Sequence, residues 1–160
     1  MSISPQPDRL RPHPLDDLRC PKCRAVLEAR AQQLGCACGA AFPHQEGVVR
    51  FVADDPFYEG AYEAHVTLRS DGTLRSELAL YFVNTHYLWW VRKHVPAGTR
   101  LLELGCGGGV SLFAQHWRTT GLDLSFRSLR RAGAHYELAL QADALNMPLP
   151  DASYDGVVSA

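Results

Sequence analysis

The chain of 160 residues has no apolar run long enough to cross a bilayer, and its first twenty residues, with four prolines, lack the hydrophobic centre of a secretory signal. Both absences lead to the expectation of a cytoplasmic protein without a membrane partner. Excess charge is missing too: the formal net charge is −1 at pH 7 and no basic run occurs, so a nucleic-acid partner has no electrostatic support. A hydrophobic content of 46% excludes a disordered tail. Cysteine is scarce outside one region. Cys20, Cys23, Cys36 and Cys38 crowd together and Cys106 stands apart, which in a reducing compartment points to metal ligation before disulfides.

Residues 1–17, rich in proline and charge, read as a flexible lead-in. From 18 to 52, short apolar pieces (Ala25 to Leu27, Ala40 to Phe42, Val48 to Val52) broken by glycine and cysteine pairs resemble small hairpins around a metal. Residues 53–73 form a linker interrupted by Asp54, Asp55, Pro56 and again by Ser70, Asp71, Gly72. From Leu74 the apolar positions Leu78, Phe82, Trp89 and Val95 recur at helical spacing until Pro96 and Gly98. Strands and helices then alternate: Arg100 to Leu104, Thr119 to Leu124, Leu138 to Ala142 and Tyr154 to Ala160 as strands, Gly109 to Trp117 and Phe126 to Ala134 as helices. Alternation of this kind predicts an α/β fold with a parallel sheet, whose ligand lies at the carboxyl ends of the strands.

The four clustered cysteines arrive as two pairs, CPKC and CAC, separated by a hairpin-length segment. Two thiolate pairs suit a tetrahedral zinc ion, and four protein ligands leave no position open for water or substrate, so the role is structural. The plain alternative is four ordinary thiols. One residue rather than two separates Cys36 from Cys38, so this pair needs a tighter turn, or His44 replaces Cys36 as ligand.

Between the expected strand at Arg100 to Leu104 and the following helix stands LLELGCGGGV, with Gly105, Gly107, Gly108 and Gly109. Glycines allow a sharp bend and close approach to a ligand, while amides at a helix start face an anionic group. The spacing satisfies GxGxG at Gly105, Gly107 and Gly109, but Val110 stands where a dinucleotide fingerprint needs its last glycine. No Lys followed by Ser or Thr comes after the glycines, which excludes a P-loop. Asp123 ends the next strand, where a carboxylate can take both ribose hydroxyls, and Asp143 ends the third, within reach of adenine. Each acid alone is more often a turn residue; the conjunction is the signal. Cys106 reads as a small loop residue rather than a nucleophile, and His86, His94, His116, His135, Trp89, Trp90 and Trp117 read as structural.

ELGCGGG, GLDLS and ADALNMPLPDASYDGVVSA, in that order, resemble the first four strands of the class I S-adenosylmethionine-dependent methyltransferases over about Arg100 to Ala160. The resemblance implies a Rossmann-like sheet and a partial cofactor domain over 74–160. It also implies that Glu103 and the Gly105, Cys106, Gly107, Gly109 loop lie against the methionine part of S-adenosylmethionine, Asp123 with Leu124 at the ribose, and Asp143 with Ala144 near the adenine. LRCPKC, CACGAAFP and EGVVRFV are similar to the zinc-ribbon front end of a subset of these enzymes, including relatives of the large-subunit ribosomal RNA guanine methyltransferases.

Family members continue past a fourth strand, so the resemblance implies that about half of the domain is absent and that the last strand offers an edge for self-association. Catalytic residues cannot be read from motifs, because alignment of acceptor and sulfonium supplies much of the acceleration. Two functions stay open: a methyltransferase acting on an RNA base or a small molecule, and a vestigial chain that binds cofactor and zinc without turnover.

Overall fold

The computed structural model describes residues 14–61 and 85–159. The amino-terminal part supplies four short strands, β1 (Glu28–Arg30), β2 (Gln33–Gly35), β3 (Ala41–Gln45) and β4 (Val48–Arg50). A single π turn, Phe57–Ala61, follows. Helix α1 runs through residues 85–94. Then come β5 (Arg100–Leu104), α2 (Ser111–Ala114), β6 (Arg118–Asp123), α3 (Phe126–Ala132), β7 (Leu138–Gln141), a 3₁₀ turn at Ala144–Asn146, and β8 (Gly156–Ser159).

The strands form one sheet in the order β1-β2-β3-β4-β7-β6-β5-β8. β7, β6, β5 and β8 pair in parallel, as the alternating pattern predicts for a sheet fed by crossovers. The hairpins β1 to β4 are antiparallel, and β4 then pairs in parallel with β7, Val48 opposite Ala139 and Val49 opposite Leu140. The cysteine-bearing hairpins therefore extend the parallel sheet instead of standing beside it. Side chains of a strand alternate between faces, and β4 uses this to join two cores. Val48 packs with Leu101, Phe113, Trp117, Leu129 and Ala139 on the helical face, whereas Val49 packs with Leu18, Leu34, Phe42, Leu122 and Leu140 on the other.

Helix α1 leads to Val95, buried as expected, and corrects the place of Trp89. Leu78 and Phe82 lie outside the described residues, and Trp89 is 57% exposed instead of facing the core. The buried stripe runs through Val91 and Val95, with Tyr87 and Leu88 beside it, because these positions recur one helical turn apart whereas Trp89 falls between them. Trp90 is exposed as well; only Trp117 is a core residue, its indole nitrogen donating to the carbonyls of Val95 and Pro96 at 3.3 and 3.0 Å.

Candidate functional site

The first candidate lies at the carboxyl ends of β5, β6 and β7. Leaving β5, the chain turns through Gly105, Gly107 and Gly109 with φ of +68°, +52° and +75°. Gly109 needs its glycine twice over: φ is left-handed, and a Cβ would stand 3.0 Å from Tyr136 Cζ and 3.1 Å from Ala132 Cβ. Above Gly105 and Gly107 the space for a Cβ is open. The Asp123 carboxylate faces this loop, Oδ2 accepting from the Gly107 amide and Oδ1 from the Ser125 amide, both at 2.8 Å. Leu124 follows, partly exposed, its carbonyl held by Gln141 Nε2 at 3.1 Å.

Five of the loop's amides are taken within the chain. The amides of Gly105 and Cys106 go to the Leu122 carbonyl, Gly107 to Asp123, Gly109 to the Cys106 carbonyl and Val110 to the Tyr136 hydroxyl at 2.6 Å. α2 is a single turn, and β6 together with Tyr136 supplies acceptors that a longer helix start would leave to a ligand. The Asp123 carboxylate thus borders the loop, an acceptor that suits a hydroxyl donor better than a phosphate.

Glu103 is buried at the end of β5 and accepts a short hydrogen bond from the Tyr136 hydroxyl. Burial pushes its carboxyl up to about 7, the Tyr136 bond opposes this, and the Asp123 charge adds to it. Cys106 is buried in the loop and its thiol is pushed well up, first by burial and then by Glu103 and Asp123, so it offers no thiolate. Asp143 caps the 3₁₀ turn, Oδ1 accepting from Leu145 N at 2.8 Å, and Ala144 opens that turn in an exposed position. Glu103, the glycine loop and Asp123 are brought together directly, while Asp143 and Ala144 stand at the end of β7, on the far side of β6.

Three residues of this region carry no motif. Tyr136 ties Glu103 to the loop from behind, and only its place before β7 could have marked it. Glu59, in the π turn, accepts from the amides of Phe126 and Arg127 at 2.5 and 3.2 Å and so fixes the turn that follows Asp123. Tyr87 of α1 has its hydroxyl buried with no hydrogen-bond partner among the described residues, and after burial the Glu103 charge is what raises it further.

The second candidate is the thiol cluster. Sγ atoms of Cys20, Cys23, Cys36 and Cys38 all lie within 4.8 Å of one another, with Cys20 to Cys38 at 3.8 Å and Cys23 to Cys36 at 3.4 Å. Tetrahedral thiolates about 2.3 Å from a metal stand roughly 3.8 Å apart, so the set fits a four-coordinate ion. The CAC spacing is met by a tight turn in which Gly39, at φ +87°, donates to the Cys36 carbonyl at 3.0 Å. Cys36 occupies the fourth place, and His44 sits on β3 opposite Val49. The thiols share protons: the backbone amide of Ala40 and bonds from neighbouring thiols draw Cys38 down, while bonds from the other three thiols push Cys36 up.

A family model described as a methyltransferase domain matches residues 102–160. The fatty-acid O-methyltransferase of Mycolicibacterium smegmatis is 37% identical over 92 residues, covering 52% of this chain and 33% of that protein. The ubiquinone biosynthesis O-methyltransferase of Albidiferax ferrireducens is 32% identical over 84 residues, covering 50% and 32%. The chain thus spans about a third of the length of these curated relatives. Among solved structures, the YcgJ protein of Bacillus subtilis aligns with a TM-score of 0.40 at 23% identity, covering 47% of this chain and 37% of that one. No helix among the described residues is long and apolar enough to cross a membrane. Residues 102–160 thus match a methyltransferase domain, and they lie in an α/β sheet of mostly parallel strands.

Proposed function

We propose that this chain binds S-adenosylmethionine across the ends of β5, β6 and β7 and serves a methyltransferase, with a zinc ion held structurally by Cys20, Cys23, Cys36 and Cys38. The observation that carries the reading is the glycine loop, open above Gly105 and Gly107 and faced by the Asp123 carboxylate. Each Asp123 oxygen spends one lone pair on an amide and keeps another for a ribose hydroxyl. Glu103, with Gly105, Cys106, Gly107 and Gly109, borders the methionine part; Leu124 lies by the ribose, and Asp143 with Ala144 by the adenine. The cofactor, once bound, supplies a methyl group on a sulfonium that is already a good leaving group. The chain's own residues therefore bind and orient rather than activate.

The thiols suit a reducing, cytoplasmic setting. The order of ribbon and glycine loop, similar to relatives of the ribosomal RNA guanine methyltransferases, keeps an RNA base among the acceptors. The net charge of −1 and the names of the two curated relatives weigh toward a small molecule.

Calorimetric titration with S-adenosylmethionine and, separately, a nicotinamide dinucleotide tests the cofactor. The first is expected to bind and the second not. Asp123→Ala is expected to weaken binding at least about tenfold, the worth of one or two hydrogen bonds to a charged group. Elemental analysis is expected to give one zinc per chain. A metal-loaded chain that ignores S-adenosylmethionine overturns the cofactor reading, and transfer of a labelled methyl group to cell extract tests turnover.

A further inference from the structure

The thiol knuckle and the loop after β7 are joined by contacts that neither metal binding nor the sheet requires. Three successive carbonyls of that loop are taken by the knuckle: Met147 O by Arg24 Nη1 at 2.7 Å, Pro148 O by the Arg19 amide at 2.9 Å, and Leu149 O by Arg24 Nη2 at 2.8 Å. Asn146 Nδ2 returns a bond to the Pro21 carbonyl at 3.3 Å. Pro148 and Pro150 have no amide hydrogen, so the loop is poor in donors of its own and depends on those brought to it. Immediately upstream stand Asp143 and Ala144, whose turn Asp143 caps.

Arg24 is held in an uncommon conformation to do this. Its φ is +63°, in the left-handed region where a Cβ crowds the following carbonyl. Its amide closes the turn by donating to the Cys20 carbonyl at 2.8 Å. The turn bearing Cys20 and Cys23 thus sets the backbone from which the guanidinium forks onto Met147 and Leu149. A planar fork can hold two carbonyls at once, which an ammonium cannot do with the same geometry. The further ion pair to Asp151 is exposed and adds little.

We propose that Arg24 is a positioning residue: the metal-closed knuckle acts through its guanidinium to hold the 143–151 loop in shape, so that occupancy of the thiol cluster tightens the adenine side of the cofactor site. The affinity half rests on the S-adenosylmethionine reading; the clamp itself does not.

The test is Arg24→Gly in the full chain, since glycine takes φ +63° without strain and removes the side chain, guanidinium included, while leaving the turn its shape. Arg24→Lys and metal-stripped wild type accompany it. Hydrogen–deuterium exchange is followed at amides 143–153, metal content by elemental analysis and S-adenosylmethionine affinity by calorimetry. The expected result is one metal per chain retained in Arg24→Gly, faster exchange at 144–153, and affinity lowered about tenfold, within the usual range of coupling between sites. Stripping the metal from wild type is expected to speed exchange over the same amides, and Arg24→Lys to fall between. Unchanged exchange in both Arg24→Gly and the stripped chain overturns the clamp. Faster exchange with unchanged affinity overturns its link to the cofactor. If wild type binds no S-adenosylmethionine while exchange still responds, the cofactor reading falls and takes the affinity half with it, while the clamp stands. Should Arg24→Gly fail to fold, Arg24→Lys and the stripped wild type decide by the same exchange readout.

Discussion

A carboxyl group buried at the end of a central strand must be neutral, paired or both, and Glu103 is held between these states by Tyr136. Burial lifts it from 4.5 to about 7. The folded protein therefore keeps a proton that the unfolded chain gives up above about pH 4.5, and the stability this contributes is complete below that value and lost as pH rises through about 7. Unfolding by denaturant between pH 5 and 8 is expected to show wild type losing about 2 kcal/mol that Glu103→Gln does not lose. Parallel curves for the two proteins would refute a protonated Glu103. Tyr136→Phe removes a bond that favours the ionised carboxylate, so the loss of stability shifts to higher pH. It also leaves the Val110 amide without its acceptor, at a cost of about 1–2 kcal/mol at all pH values. Equal pH midpoints for Tyr136→Phe and wild type would show that the phenol does not tune Glu103.

At the scale of elements, the glycine turn is the joint on which the cradle hangs. Gly109→Ala combines a left-handed φ with a Cβ pressed on Ala132 and Tyr136, and it is expected to destabilise by about 2 kcal/mol or more and to weaken S-adenosylmethionine binding. Thermal melts and titration would show it; a variant as stable as wild type would mean that the loop has another resting shape. Local rules made β5 legible to its last residue, because Arg100 to Leu104 is a short apolar run ended by glycine. The same rules located β6, β7 and both acids at strand ends, since turn chemistry there is local. They placed Val95 of the α1 segment in the core but misplaced Trp89, which hydrophobicity alone does not distinguish from the valines that are buried. They missed β1 and β2, three residues each, in which Leu34 is the one large apolar side chain and too little of a pattern to mark a strand. Tyr136, Glu59 and Arg24 were invisible for another reason: each acts across a distance in sequence, and no spacing rule announces a partner 33, 67 or 123 residues away.

For the whole molecule, the consequence of β4 is cooperativity. Val48 and Val49 are fully buried on opposite faces of the same strand, and Arg50 beside them engages Gln141 at 2.8 Å while lying over the Phe126 ring at 4.3 Å. Gln141 is itself fully buried, with Asp54 and the Leu124 carbonyl as further partners, so separating β4 from β7 would strand a buried amide as well as open both cores. Such a junction makes the hairpins and the parallel strands one unfolding unit. Two probes can follow it separately: thiol reactivity for the cluster, and emission of Trp117 in a chain carrying Trp89→Phe and Trp90→Phe. Both are expected to report one transition, and a chelator is expected to lower the two midpoints together, because metal binding is coupled to the folding of everything the hairpins support. Val49→Ala, which opens a cavity in the core beneath the cysteine-bearing hairpins, is expected to cost about 2 kcal/mol and to move both probes equally. If the chelator shifted thiol reactivity and left Trp117 where it was, the hairpins would be an independent unit merely resting on the edge of β7, and the sheet pairing at Val48, Val49 and Arg50 would carry no appreciable energy.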